Sequence, residues 1–580
     1  MKVLKFGGTS VGTSHSINQV IKIIKKQQTP CVVVISAVGG ITNLLLETAI
    51  KAKYQDETFV ETFSAIQEKH ILILKELNID TPTNKLFLKE QFSELKKLFD
   101  GVHLIEEFSN KTSDKILSYG ELLSSFIVFN ALKKDTEHVG YLNAQEVIVT
   151  ESVYNKPEVL FEETNHNIKA YFKSNNHQIT IVPGFISKSK KGEVTTLGRG
   201  GSDYSAAIFA SALEASILEI WTDVSGMYTT NPKLVKQAKP IEELSYEEAM
   251  ELSHFGAKVL YPPTIQPVLK NQIQIQIKNT FSPEEKGTLI TKKTNFTHHV
   301  VRGISNIDHI ALMTLEGPAM IGVSGFAKRI FEALHDVNVN IIVITQASSE
   351  HSICFAIDKN DINTAEVAIN KQFAHEIFMG KVKPLIVESG LSIVAVVGDY
   401  MKNHQGISGT LFSTLGANNI NIRAIAQGAS EKNITVIIKD TDVKKALNAL
   451  HERFFESNTK QLNVFITGVG NVGEKLIEQI KQQRSYLKKN LKLDVKIVGL
   501  SNSRKMVFKP KGIDLNDWAS LFHYAEKSSI EGFFQKVVEL NLRNSIFVDV
   551  TANEDVANIY EKYLKQSVAV VACSKIACSS

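Results

Sequence analysis

The chain is poor in cysteine, with four in 580 residues: Cys31, Cys354, Cys573 and Cys578. They are too sparse for a disulfide framework and form no metal-ligand spacing, which fits a reducing cytoplasm. It also lacks charge of one sign. Against 65 Lys and Arg stand 61 Asp and Glu, and the resulting +4 is spread along the chain. That distribution excludes the basic footprint of a nucleic-acid binder. No apolar run reaches the ~20 residues that cross a bilayer, and the start, "MKVLKFGGTS", has no apolar signal region. The expectation is a cytoplasmic protein that touches neither membrane nor nucleic acid.

What is present describes an ordinary globular protein, 43% hydrophobic and 22% charged. Because single cores stop growing at roughly 250–300 residues, several domains are expected. Residues 1–290 alternate short apolar runs with helical stretches, the pattern of an α/β sheet. Strand candidates are "KVLKF", "CVVVIS", "QITIVPGF", "ILEIWTDV" and "IQIQIK". Helical periodicity is clearest at 109–132, and a polar stretch at 282–295 reads as a boundary.

Two glycine-rich segments in this first part suit phosphate chemistry. "KFGGTSVG" places Lys5 at a strand end, then Gly7, Gly8, Thr9 and Ser10 before a helix. Adjacent glycines let successive N–H groups face an anion, and the helix start adds partial positive charge. "TTLGRGGSDYSAA" (195–207) repeats the idea, with Ser202 and Asp203 opening a helix and Arg199 among three glycines. Capping by Ser202 and dipole complementation by Asp203 explain part of it. They require neither the glycines nor an arginine, whose planar fork suits a carboxylate.

Beyond residue 300 lies an internal repeat. "ITQASSEHSICFAI" (344–357) matches "IAQGASEKNITVII" (425–438) at an offset of 81. The same offset aligns Gly317 with Gly398, Gly325 with Gly406, Phe331 with Phe412 and Asn340 with Asn421. Each copy reads as strand, loop, helix, strand, turn, strand: a small α+β module. From 462 the chain restarts with an apolar strand and "GVGNVG" (468–473), then a helix. G-x-G-x-x-G in that setting is a dinucleotide-binding signal. After the next strand no acid is available for a ribose hydroxyl. "SNSRK" instead brings Arg504 and Lys505, which suit a 2′-phosphate and hence NADP(H).

The N-terminal part resembles the aspartokinases of the amino-acid kinase superfamily. The match runs through "KFGGTS", "VVVISAVGGITNLLL", "SYGELLSS", "TTLGRGGSDYSAA", "WTDVSGMYTTNP" and "FGAKVLYP", six motifs in order. The paired modules resemble ACT domains, and the last segment resembles the nucleotide-binding start of homoserine dehydrogenase. This order is that of the bifunctional aspartokinase/homoserine dehydrogenases. The expected fold is therefore α/β: an amino-acid kinase domain (1–292), ACT modules (ferredoxin-like α+β; 300–382 and 390–458) and a partial Rossmann-type domain (461–580).

The resemblance implies roles for matching residues. Lys5, Gly7, Gly8 and Ser36 would surround the transferring phosphoryl group, and Asp203 would organise the cations there. Thr42, Glu121, Arg199 and Ser202 would hold L-aspartate, Glu121 at its ammonium and Arg199 at a carboxylate, with Gly120 leaving room for substrate. Thr222, Asp223, Tyr228, Lys233 and Lys258 would bind ATP with Gly7. Lys233 stands where the family has arginine, keeping the charge and losing the fork. No cluster supplies a protein cage for metal, so Mg²⁺ would travel on the ATP phosphates.

Gln346, Asn340, Gln427 and Asn421 would serve an effector amino acid, L-threonine or alternatively lysine. An amide both donates to a carboxylate and accepts from an ammonium. Gly468, Gly470, Asn471, Val472, Gly473, Arg504, Lys505 and Lys575 would hold NADP(H), with Ser574 in place of the family's asparagine. A homodimer or larger assembly is expected through the ACT modules. The family's dehydrogenase catalytic residues lie beyond this sequence. Aspartate kinase activity is thus expected and homoserine dehydrogenase activity is not, as for a truncated chain. The rival readings are another kinase of the superfamily, acting on glutamate or uridylate, and a catalytically dead amino-acid sensor.

Overall fold

The computed structural model describes all residues except 155–156, 257–258, 293, 295–299, 322–324, 347–350, 429–431, 456–459 and 574–580. They form two compact units, Met1–Tyr228 with Lys239–His298, and Thr229–Ala238 with His299–Ser580. Among the described residues no helix is long and apolar enough to cross a membrane.

The first unit is built on an eight-stranded sheet. Its order is Val139–Tyr141, Ile179–Pro183, Cys31–Ile35, Lys2–Phe6, Ile217–Thr222, Gln274–Asn279, Thr288–Thr291, Glu243–Ser245. The first six run parallel to one another, and Thr288–Thr291 pairs antiparallel with the sixth. All five residues of Cys31–Ile35 and of Ile179–Pro183 are buried, so these strands read as unbroken apolar runs, as strands covered on both faces must. Thr288–Thr291 lies inside the polar stretch expected to be a boundary, yet it pairs with Gln274–Asn279 and belongs to this sheet. Three of its four residues, Thr288, Ile290 and Thr291, are buried, and the Thr288 hydroxyl donates to the Ile241 carbonyl at 2.6 Å, which satisfies a polar group inside the sheet.

Seven helices matter for the site: α1 (Ser14–Lys25), α2 (Ile41–Lys53), α3 (Phe59–Glu76), α4 (Pro82–Ile105), α5 (Asn110–Lys133), α6 (Phe161–Ser174) and α7 (Gly201–Ala212). α5 follows the predicted span closely. Ser109 caps it by accepting from the Thr112 N–H, and Ile116, Leu123 and Ile127 are buried at helical spacing. The core between α1–α5 and the sheet runs through Leu4, Phe6, Ile17, Val33, Leu45 and Leu123.

In the second unit the repeat forms one six-stranded sheet, ordered Val343–Gln346, Ser352–Asp358, Gly303–Glu316, Ile386–Val397, Asn433–Lys439, Ala424–Gln427. The offset of 81 holds element by element. It relates Val343–Gln346 to Ala424–Gln427, Ser352–Asp358 to Asn433–Lys439, and helix Phe326–Asp336 to helix Ile407–Ala417. Each copy also has a second helix that the periodicity missed, Ile362–Gln372 and Val443–Phe455.

The two central strands are long because each serves both modules. The start of Gly303–Glu316 pairs with the end of Ile386–Val397, and the reverse, with Ile310 opposite Leu391 between them. A Cβ on Gly317 would meet the Lys381 carbonyl oxygen at 2.4 Å, and one on Gly398 would meet that of Val300 at 2.0 Å. The repeated glycines thus answer the same close backbone approach. Residues 229–238 join this unit: Val235 is buried in the core with Ile304 and Leu450, and the Ile304 N–H donates to the Thr229 carbonyl at 2.8 Å.

The last segment is a six-stranded sheet with Lys460–Thr467, Leu493–Ser501, Ser545–Asp549 and Ala569–Ala572 parallel. "GVGNVG" links the first of these strands to helix Asn471–Asn490.

Candidate active site

The candidate site lies at the carboxyl ends of four adjacent parallel strands, where open α/β sheets bind ligands. The loops leaving Lys2–Phe6, Cys31–Ile35 and Ile179–Pro183 are laced by backbone hydrogen bonds across those ends. Ser36 N–H donates to Phe6 O at 3.1 Å, Gly39 N–H to Gly8 O at 3.0 Å, and Gly184 N–H to Ile35 O at 2.9 Å. Gly7 N–H donates to the Trp221 carbonyl at 3.0 Å, tying in the fourth strand.

Eight of the residues singled out from sequence line one cleft of about 430 Å³: Lys5, Gly8, Ser36, Thr42, Glu121, Arg199, Ser202 and Asp203. They come from segments up to two hundred residues apart. The starts of α2 and α7 contribute their first residues to the same walls, so partial positive charge from two helices faces the cleft.

Lys5 Nζ stands 2.5 Å from Asp203 Oδ1, an ion pair rather than an aligned hydrogen bond, with both side chains largely buried. Asp203, in the first turn of α7, thus fixes the ammonium at the cleft floor. Arg199 is exposed at the rim on the glycine loop.

Glu121 is 4% exposed. Its Oε1 accepts from the Ala37 N–H at 3.1 Å and, more weakly, from Ser202 Oγ at 3.5 Å, while Oε2 has no hydrogen-bond partner. Burial pushes its carboxyl up to about 8, against the opposing pull of the Ala37 N–H, the Ser202 hydroxyl and the Lys5 charge. A buried acceptor left open toward a cleft is costly unless a donor arrives. It marks the place where a cationic group of a ligand fits.

One reading is corrected. Gly120 does not leave room for a substrate: a Cβ there would stand 2.9 Å from the Ala37 Cβ, so the missing side chain lets α5 press against the loop that holds Glu121. Three contributors escaped the sequence. Lys69 of α3 donates to the Gly39 carbonyl at 2.6 Å and braces that loop. Phe185 lines the cleft with φ of +67° and donates its N–H to Ser205 Oγ at 2.9 Å. Asp114, buried on α5, accepts from the Thr196 hydroxyl at 2.7 Å and its N–H at 3.2 Å, fixing the strand before the glycine loop. Only Asp114 carried a signal, as an acid near the start of an amphipathic helix.

The residues expected at a nucleotide are less gathered. Thr222 ends its strand, its hydroxyl on the Asp223 carboxylate at 3.2 Å, and Tyr228 forms a β-bridge with Pro240. Lys233 is exposed and lies on 229–238, in the second unit. Lys258 is outside the described residues, as are Ser574 and Lys575.

In the second unit Gln346 and Gln427 end equivalent outer strands, which approach one another as the sheet curls, and both are exposed, as are Asn340 and Asn421. In the last segment the motif glycines fit a dinucleotide. A Cβ on Gly473 would meet the Gly468 carbonyl oxygen at 1.9 Å, so helix and turn pack only with glycine. Around Gly470, by contrast, space is open, and Asn471 and Val472 begin the helix beside it. Lys505 is turned to protein, donating to the Phe522 carbonyl at 2.7 Å and to that of His523 at 3.2 Å, whereas Arg504 at the same turn is exposed.

Comparison with known proteins agrees with this division. The amino acid kinase family profile matches residues 1–279, the ACT domain profile residues 313–373 and 394–454, and the homoserine dehydrogenase NAD binding domain profile residues 468–580. A bifunctional aspartokinase/homoserine dehydrogenase 1 of Arabidopsis thaliana, chloroplastic, is 36% identical over 99% of this chain and 64% of its own length. The bifunctional enzyme of Haemophilus influenzae is 35% identical over 99% of this chain and 71% of its own. The chain therefore spans less than two thirds of the plant relative. Among solved structures, E. coli aspartokinase III in complex with aspartate and ADP superimposes with a TM-score of 0.68 at 29% identity, covering 78% of this chain and all of that one. By sequence along nearly its whole length, the chain belongs to the bifunctional aspartokinase/homoserine dehydrogenase family.

Proposed function

We propose that this chain is an aspartate kinase, transferring the γ-phosphoryl group of Mg-ATP to the β-carboxylate of L-aspartate to give 4-phospho-L-aspartate and ADP. The observation that carries the reading is the buried Glu121 with its open Oε2, set in one cleft with Lys5, Asp203, Arg199 and Ser202. An acid for an ammonium and an arginine for a carboxylate select an α-amino acid with a second acid group.

The β-carboxylate is already ionised at neutral pH, so no catalytic base is needed. Catalysis is positioning and charge neutralisation. Lys5, held by Asp203, meets charge developing on the phosphoryl oxygens, with Gly7, the Gly8 N–H and the Ser36 hydroxyl around them; the Gly7 and Ser36 N–H groups stay on the Trp221 and Phe6 carbonyls. Thr42 and Ser202 orient the substrate beside Glu121 and Arg199. Thr222, Asp223, Tyr228, Lys233 and Lys258 attend the nucleotide, whose Mg²⁺ neutralises phosphate charge when bound.

Gln346, Gln427, Asn340 and Asn421 bind L-threonine as feedback effector, and the ACT modules join copies of the chain into a homo-oligomer. The reaction opens threonine, methionine and lysine biosynthesis in the cytoplasm. Gly468–Gly473 and Arg504 hold NADP(H). The test is aspartate-dependent acyl phosphate trapped as hydroxamate, without and with millimolar L-threonine. Product that falls with threonine supports both kinase and effector site. Product indifferent to threonine removes the effector reading, and no product from folded protein removes the kinase.

A further inference from the structure

The first unit holds a second cavity, remote from the cleft in its chemistry and lined by no residue of it. α3 and α4 form a hairpin in which Thr81 caps α4 by accepting the Asn84 N–H, and Pro82 occupies its first turn. Between the two helices opens a cavity of about 510 Å³. Its floor is apolar: Phe63, Ile71 and Leu74 from α3, Leu88 and Phe92 from α4. Phe63 and Phe92 meet edge to face at 6.5 Å.

The mouth is cationic. Lys75, Lys85, Lys89 and Lys96 line it with a single acid, Asp80. Lys85 is taken by Asp80 at 2.9 Å and Lys96 by Asp100 at 2.7 Å. Among the described residues neither Lys75 nor Lys89 makes an ion pair, and both are exposed.

These features define a ligand. A space of this size, apolar within, is poorly served by water and matches the range of roughly 300–1,000 Å³ that holds small molecules. Lysine stems pack along apolar walls while their ammonium groups stay at the opening. An ammonium is a point charge without arginine's planar fork, so it attracts a carboxylate without fixing its plane. We propose that the α3–α4 cavity is a binding site for an apolar carboxylate, its hydrocarbon body between Phe63, Leu74, Leu88 and Phe92 and its head group at Lys75 and Lys89. An acyl chain and an aryl acid share this chemistry, and the site takes one or both.

The test is calorimetric titration of the full chain with decanoate below its micelle concentration, with indole-3-propionate, and with uncharged decanol. Saturable one-to-one binding of decanoate, indole-3-propionate or both is expected, and which of them binds identifies the hydrocarbon source. Decanol should bind about tenfold or more weaker, a difference of ~1.4 kcal/mol. Lys75→Glu with Lys89→Glu, two exposed positions, should weaken the carboxylate by a similar factor and leave decanol unchanged. Excess aspartate and ADP should not compete. Absence of saturable binding by either carboxylate, equal affinity for decanol, undiminished binding in the double variant, or competition by aspartate each overturns the proposal. So does hydrogen-exchange protection of 63–96 that grows with protein concentration, because a second copy would then cover the cavity.

Discussion

If Glu121 receives the substrate ammonium, aspartate binding is coupled to loss of a proton. Burial holds the ligand-free carboxyl at about 8, and its Oε2 has no partner. At pH 7 roughly nine molecules in ten then carry the proton, and ionising the group costs about 1.4 kcal/mol. An ammonium against Oε2 requires the ionised form, so binding releases about 0.9 proton at pH 7. Apparent affinity for aspartate should rise about tenfold from pH 6 to 7, about fivefold from 7 to 8, and level off above.

The assay is titration calorimetry at pH 7 in buffers of different ionisation enthalpy, with KM for aspartate followed from pH 6 to 9. Glu121→Gln should remove the pH dependence and raise KM by about 100-fold, from ~3 kcal/mol of lost charge pairing. A second consequence has the opposite sense. Because the folded carboxyl sits above its ordinary value of 4.5, this group's contribution to stability is full below pH 4.5 and is lost as pH rises through 8. The ligand-free Glu121→Gln variant should lack that decline. Binding with no proton release, together with a flat KM between pH 6 and 8, would refute the assignment.

Lys5→Met should fold, since Asp203 keeps partial solvent access, and should lower kcat about 10²–10³-fold in the coupled ADP assay. Lys69→Met, which releases the Gly39 carbonyl, should raise KM for aspartate several-fold, roughly the effect of 1 kcal/mol, with an unchanged circular dichroism spectrum. His70 is fully buried on α3 and burial lowers it to about 4, so its contribution is present above pH 6.5 and is lost as pH falls toward 4. Urea unfolding at pH 7 and pH 4.5 should show a loss of about 2.4 kcal/mol that His70→Phe abolishes. Gly473→Ala places a Cβ against the Gly468 carbonyl oxygen, so fluorescence titration should show NADP(H) binding lost while kinase turnover is kept.

The cleft was legible because its residues sit in compact motifs whose glycines, helix starts and charges have local causes. The roles of Lys5, Glu121, Arg199 and Asp203 came through the family resemblance those motifs carry, and the fold places the four in one cleft. The repeat was legible for a related reason: an offset of 81 survives in the outer strands and in the starts of both helices because both copies pack the same way. What stayed hidden depends on long-range pairing. Nothing in Gly303–Glu316 signals that its two halves serve different modules, since register across eighty residues is set by the partner strand. Residues 229–238 join the second unit through Val235 and the Thr229 carbonyl, contacts that no local pattern encodes. Lys69 looks like any solvated lysine until α3 is laid against the Gly39 loop, and Lys505 looks free until the Phe522 carbonyl arrives beside it.

The central claim, a phosphotransferase that makes an acyl phosphate of aspartate, is tested most directly by phosphorus NMR of the chain with Mg-ATP and L-aspartate. The account predicts an acyl-phosphate resonance that grows one for one with ADP, is absent with L-glutamate, and disappears in the Lys5→Met variant. ADP formed without that resonance, or a resonance that Lys5→Met leaves untouched, would contradict it.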